Sequence, residues 1–233
     1  ADLTIMEEAS EFLERLTHGG VLPMITSCSS AWMNYLEQFY PEMIINASTC
    51  KSPMSMLGAV IKTYYARKRG VKPEDILSVA VMPCTAKKSE VEREELKVDG
   101  RKAVDFVITT REIAWMLRSA GIDFLNIKGE EFDNLLGFSS GASAIFGVTG
   151  GMMEAALRTA YELHVGETVV DIEFSALRGF KGIREASVKM GDKDVHVAAV
   201  HGLRNAHTLL EMVKSEPAKY QFIEIMACPG GCI

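Results

Sequence analysis

Two of the five cysteines, Cys228 and Cys232, form a C-x3-C pair with Pro229, Gly230 and Gly231 between the sulfurs. Glycine lets the backbone fold tightly, so both thiolates can face one metal centre while amides approach its sulfides. The same pair also reads as two buried thiols on a strand and turn. A zinc site would need two further ligands at ordinary spacing. Cys84 follows the apolar run Ile76–Met82, and Cys228 follows FIEIMA. Loops leaving the ends of buried strands are where ligands collect in open α/β sheets. Lys87 lies three residues after Cys84 and Glu90 six after it. A lysine there can meet a bound anion as a point charge, or simply occupy a surface turn.

Near the start of the chain, Glu8, Glu11 and Arg15 are spaced i, i+3, i+7. A helix would align them along one face, where an ordinary solvated ion pair is the simplest reading. Cys28 and Cys50 complete the thiols. An odd count in 233 residues does not read as a disulfide framework, so reduced thiols or metal ligands are expected.

The elements that must position these groups alternate between helix and strand. Leu3–Leu16 reads as an amphipathic helix ended by His18-Gly19-Gly20, and Ala31–Phe39 as a second, stopped by Pro41. Pro53 opens a long helix to Arg69, ended by Gly70. Ile76–Met82 reads as a strand buried on both faces and Val104–Ile108 as another, with Thr110 capping a helix over Glu112–Ala120. A glycine-rich stretch, Gly137–Gly151, leads to a helix over Met152–Leu163. Strands at Val169–Phe174 and Val195–Val200, a helix at Leu203–Lys214 and a strand at Phe222–Met226 follow. This alternation predicts an α/β fold, with lobes 1–137 and 138–233 if the glycine-rich stretch is a junction.

Composition narrows the function classes. A formal net charge of -6, with acids and bases interspersed, argues against nucleic acid. No apolar run approaches the roughly 20 residues of a membrane span. Ala1–Arg15 lacks the basic start and apolar stretch of a signal peptide. The default compartment is the cytoplasm, or the periplasm for a chain whose signal was removed. The 13 methionines read mostly as core filler.

Three segments, in order, give the chain a resemblance to the [FeFe]-hydrogenases. TSCSSAW, Thr26–Trp32, is similar to the family's TSCCPxW. MPCTAKKSE, Met82–Glu90, matches MPCTxKxxE throughout, and EIMACPGGC, Glu224–Cys232, is similar to ExMACxGGC. Ile108–Glu112 and Ser140–Gly151 also look like family segments. The likeness runs over essentially all of 1–233, as the H-cluster catalytic domain, incomplete at both ends.

The resemblance implies two lobes of twisted, mainly parallel sheet flanked by helices, with a cluster site between them. That site is the H-cluster, a 4Fe-4S cubane bridged to a two-iron unit carrying CO, cyanide and azadithiolate. It implies Cys84, Cys228 and Cys232 as cubane ligands, Cys232 bridging to the two irons. Lys87 would hydrogen-bond a cyanide, with Met82, Pro83, Pro53 and Met226 around the two-iron unit. Cys28 would donate protons, supplied through Glu8, Ser48, Glu11 and Arg15. The implied reaction is the reversible reduction of protons to H2, with electrons from ferredoxin or a partner subunit and with maturation proteins needed to load the site.

The chain departs from the pattern at Ser29, where the family has its fourth cubane cysteine, and at Ser30, where it has proline. Ser29 is the residue in the ligand position, and a hydroxyl is a poorer iron ligand than a thiol; Cys50 is a spare thiol. Met54 stands where a polar residue, often glutamine, is expected. Two other readings follow from the same segments. A hydrogen-sensing relative with low turnover is favoured by Ser29 but opposed by the intact Cys28, Glu8, Ser48, Glu11 and Arg15 set. A hydrogenase-like iron–sulfur assembly protein is opposed by the complete MPCTAKKSE segment with Lys87.

Overall fold

The computed structural model describes residues 1–167 and 182–232. In chain order the helices and strands are α1 (Asp2–His18), β1 (Met24–Ile25), α2 (Ser30–Phe39), α3 (Pro53–Val60), α4 (Ala66–Arg69), β2 (Val79–Met82), α5 (Lys87–Glu90), β3 (Phe106–Thr109) and α6 (Thr110–Ser119). After these come α7 (Gly141–Ile145), α8 (Gly151–Val165), β4 (Ile183–Met190), β5 (Lys193–His201), α9 (Leu203–Ser215) and β6 (Phe222–Met226). The expected strand at Val169–Phe174 lies outside the described residues.

The chain divides into two compact units, Ala1–Ser52 with Ser140–Ile233, and Pro53–Ser139. The first 52 residues join Ser140–Ile233 rather than the residues that follow them. The reason is pairing: β1 adds to β6 in parallel, Met24 opposite Phe222 and Ile25 opposite Ile223, tying the N-terminal segment to the C-terminal sheet.

The first unit is built on a four-stranded sheet in the order β1-β6-β5-β4, parallel except for the β4–β5 hairpin. All five residues of β6 are buried, as expected for a central strand covered on both faces. On one face α1 and α8 pack, with Phe12 stacked on Phe222 at 4.8 Å between ring centroids and Ala9, Met152, Met153 and Leu157 alongside. Fully burying a side chain of this size contributes on the order of 1.5–3 kcal/mol. On the other face α2 and α9 bring Trp32, Leu36, Leu209 and Leu210 against Ile223 and Ile225. Helix α1 ends where the sequence predicts, because Gly19 takes φ 81° and its N–H caps the Arg15 carbonyl. Strand β4 is not apparent in the sequence: IREASVKM buries Val188 and Met190 but leaves Glu185, Ser187 and Lys189 outside.

The second unit carries the two-stranded parallel sheet β2–β3. The expectation that Ile76–Met82 is buried on both faces is corrected: only Val79–Met82 pairs, and Val79 and Val81 are exposed. Only the face bearing Ala80 and Met82 packs, with Met54, Val91, Val104 and Val107. The cap of α6 is also one residue earlier than predicted. Thr109, not Thr110, accepts from the Glu112 amide, and Glu112 accepts in return from the Thr109 N–H, a capping box. The long helix expected over Pro53–Arg69 is interrupted by a π turn at Ile61–Tyr65. The wider turn coincides with Lys62, which is drawn inward to Asp105 Oδ2 at 2.8 Å and to the carbonyl oxygen of Ile76.

Candidate functional site

The first and third signature segments meet along β6. The Thr26 N–H donates to the Ile223 carbonyl at 3.0 Å, the Ile225 N–H to Thr26 Oγ1 at 3.2 Å, and the Ala227 N–H to Ser29 Oγ at 3.4 Å. Trp32 is fully buried and its indole N–H donates to the Thr26 carbonyl at 3.1 Å, closing the turn that carries Cys28 and Ser29. Ser29 is therefore a buried residue at the N-terminus of α2 whose hydroxyl reaches the residue before Cys228. Cys28 is buried in the same core as Met24, Met153 and Met226.

The CPGGC loop is fixed by backbone. The Cys232 N–H donates to the Gly147 carbonyl at 2.7 Å, the Thr149 N–H to the Gly230 carbonyl at 3.1 Å, and the Gly231 N–H to the Cys228 carbonyl at 3.2 Å. Gly231 needs to be glycine on two counts. Its φ is +112°, and a Cβ there would run into the Gly147 carbonyl oxygen and stand 2.9 Å from the Thr149 amide nitrogen. Both loop thiols are exposed, and Cys232 Sγ lies 3.9 Å from Met226 Sδ.

The acid–hydroxyl–acid–guanidinium set is brought together, with Ser48, Glu11 and Arg15 joined by hydrogen bonds. Glu8, 1% exposed, lies beside Ser48, whose influence favours the ionised carboxyl. The Ser48 hydroxyl donates to Glu11 Oε2 at 2.8 Å, and Arg15 Nη2 donates to Glu11 Oε1 at 2.6 Å. Arg15 also donates to the carbonyls of Val21, Asn46 and Ala47, which holds its fork in place. Burial pushes the Glu8 carboxyl up to about 8, opposed by Ser48 and reinforced by Glu11 and Glu224. Although partial burial works against it, the Thr49 N–H, the Ser48 hydroxyl and Arg15 hold Glu11 below the usual carboxylate range. Among the described residues, Glu8 Oε1 is buried with no hydrogen-bond partner.

Two participants escaped the sequence reading. Cys50, a spare thiol in the sequence, sends that thiol to Glu11 Oε2 at 3.5 Å, and burial pushes it up to about 12. Glu224, inside a signature segment but given no role, is fully buried. Its two oxygens accept the Gly150 N–H at 2.6 Å and the Met153 N–H at 2.7 Å. Burial pushes its carboxyl up to about 7 against those two amides. The FIEIM pattern marked the position: a carboxylate in a wholly apolar strand demands partners.

In the second unit, Met82 ends β2, and Pro83 and the half-buried Cys84 follow. Lys87 is buried, with Nζ 2.6 Å from Glu90 Oε2, while the Ser55 hydroxyl donates to Glu90 Oε1 at 2.5 Å. Pro53 starts α3, and Met54 is buried beside it.

Among the described residues no three His, Cys, Asp or Glu side chains are placed to hold a single metal ion. A cluster is larger than an ion and its ligands stand further apart. The donor chemistry fits one: soft thiols in loops that follow strands, and at Cys228–Cys232 a tight loop that positive-φ glycines allow. The five cysteines form no disulfide.

Among known proteins, the family model for the iron only hydrogenase large subunit, C-terminal domain, matches residues 1–233. The chain is 49% identical over 235 residues to the periplasmic [Fe] hydrogenase large subunit of Nitratidesulfovibrio vulgaris, covering 100% of this chain and 56% of that one. It is 43% identical over 233 residues to iron hydrogenase 1 of Clostridium pasteurianum, covering 100% of this chain and 41% of that one. A solved apo [FeFe]-hydrogenase variant from Chlamydomonas reinhardtii superposes with a TM-score of 0.84 at 40% identity, over 99% of this chain and 66% of that one. The chain thus spans about half the length of the curated relatives it matches. With its first and third signature segments meeting along β6 and residues 1–233 matched by the family model for the C-terminal domain, the chain belongs to the iron-only hydrogenase large subunit family.

Proposed function

We propose that this chain carries the active-site region of an [FeFe]-hydrogenase, which interconverts H2 with two protons and two electrons. The observation that carries the reading is the Ser48–Glu11–Arg15 hydrogen-bond chain with the buried Glu8 carboxyl beside Ser48. Cys84, Cys228 and Cys232 would hold a 4Fe-4S cubane, Cys232 bridging to a two-iron unit with CO, cyanide and azadithiolate. When bound, that cofactor supplies the redox chemistry with H2. Lys87, Met82, Pro83, Pro53 and Met226 are assigned to the two-iron unit's surroundings.

The protein's own task is to move protons. Cys28 presents a thiol, which exchanges a proton near working pH when its surroundings tune it. Glu8 is neutral at pH 7, since its carboxyl is raised to about 8. The single Ser48 hydrogen goes to Glu11 and its oxygen accepts the Cys50 N–H, so a protonated Glu8 would donate to the remaining lone pair of that hydroxyl. One concerted shift then passes a proton from Glu8 through Ser48 Oγ to Glu11. Arg15 and the Thr49 amide stabilise the ionised Glu11 that receives it. Electrons come from ferredoxin or a partner subunit, and loading requires maturation proteins. Among the described residues no helix is long and apolar enough to cross a membrane; cytoplasm is the assigned compartment, and periplasm follows if a signal is removed.

The test is hydrogen evolution from reduced viologen by the chain after anaerobic maturation. Activity that falls on Cys28→Ala and Glu8→Gln supports the reading. A fully matured chain without activity, or variants as active as the parent, overturns it.

A further inference from the structure

Glu224 occupies a costly position. It is fully buried in the middle of a strand whose other members are apolar, and an isolated carboxylate there is strongly disfavoured. Among the described residues its compensation comes from the N-terminal end of the fifteen-residue helix α8, where the Gly150 and Met153 amides each donate to a separate carboxylate oxygen. A helix N-terminus favours a negative group. The residues just before it, Gly147 and Thr149, pair with Cys232 and Gly230, and Val148 bridges Gly231. A single turn, Gly147–Met153, is thus gripped at one end by a side chain of β6 and at the other by the loop that follows β6.

We propose that Glu224 is a positioning residue for the Cys228 and Cys232 thiols, acting through the Gly147–Met153 turn. The proposal rests on the hydrogenase reading for what the thiols hold, but not for the coupling itself. It explains the choice of glutamate. Two converging N–H groups need two acceptor oxygens, whereas glutamine offers one oxygen and turns an N–H2 toward the other donor. It also joins the requirement for glycine at 231 to the carboxylate at 224: both hold the same short stretch of backbone in register.

The experiment is amide hydrogen exchange on the full chain, comparing the parent with Glu224→Gln. The expected result is exchange faster by tenfold or more at Gly150 and Met153 and, together with them, at Cys232. Faster exchange at Gly150 and Met153 with Cys232 unchanged overturns the proposal. Gly231→Ala probes the coupling from the other side with the carboxylate intact, and should loosen Gly150 and Met153; protection there equal to the parent's overturns it even if Glu224→Gln fails to fold. A second readout is the electron paramagnetic resonance spectrum of the reduced cubane reconstituted without the two-iron unit. Altered g-values in Glu224→Gln are expected. A parent chain that takes up no cubane counts against the hydrogenase reading and leaves the exchange result standing.

Discussion

The Ser48 hydroxyl donates to Glu11 Oε2 at 2.8 Å, joining residues 37 positions apart in the sequence. Ser48 reaches that position because its N–H donates to the Ile25 carbonyl, fixing it beside β1. Glu11 arrives from the middle of α1. The link is the narrowest point of the proposed proton route, because that route passes between two carboxyls through a single hydroxyl.

Ser48→Ala should therefore interrupt transfer without disturbing the cofactor. Hydrogen evolution at pH 7 is expected to fall on the order of 100-fold, the scale of a lost acid–base group. Infrared bands of the loaded protein should stay in place. Unchanged turnover would exclude Ser48 from the route.

The two raised carboxyls set a pH dependence of stability. The ordinary carboxyl value is 4.5, and burial raises Glu8 to about 8 and Glu224 to about 7. Between those limits the folded protein binds more protons than the unfolded chain, so stability is greatest below about 4.5 on their account and falls as pH rises through 7 and 8. Glu11, held low, contributes the opposite slope only at more acid pH. Glu8→Gln should flatten the decline between pH 5 and 8, measured by urea unfolding at a series of pH values. A decline as steep as the parent's would contradict the assignment.

Much of this arrangement is legible in the sequence. The i, i+3, i+7 spacing is by itself enough to align Glu8, Glu11 and Arg15 on one helix face, and Gly19 and Gly70 both stop helices in left-handed conformations as expected. Strand β6 has the predicted ends because FIEIM is uniformly apolar but for Glu224. Ser48 is reachable only through the family resemblance, since nothing local distinguishes it from its neighbours. Strand β1 is two residues long and β4 alternates with charges on its open face, so neither carries enough pattern to be read. The Cys50–Glu11 and Glu224–Met153 contacts are tertiary, and spacing alone does not encode them.

The Lys87–Glu90 pair gives a prediction within the second unit. Both side chains are buried, at 7% and 6% exposure. Removing one partner leaves the other's charge uncompensated, so Lys87→Met should cost about 3–5 kcal/mol in urea unfolding. Replacing both, as Lys87→Met with Glu90→Leu, should recover a large part of that loss. A single variant as stable as the parent would show that the pair is not closed in solution.

Ser29 gives a prediction about cluster retention. Its hydroxyl accepts from the Ala227 N–H at 3.4 Å, and a thiolate is a far better iron ligand than a hydroxyl. Ser29→Cys should slow chelator-driven iron loss from the reconstituted cubane by tenfold or more. Equal rates would mean that position 29 does not face the iron.

The most direct test of the central claim is an anaerobic infrared spectrum of the matured chain in the region where iron-bound CO and cyanide absorb. The account predicts sharp bands there, perturbed by Lys87→Met if that ammonium meets a cyanide. No bands, with a control hydrogenase matured in parallel showing them, would contradict a two-iron centre on this chain.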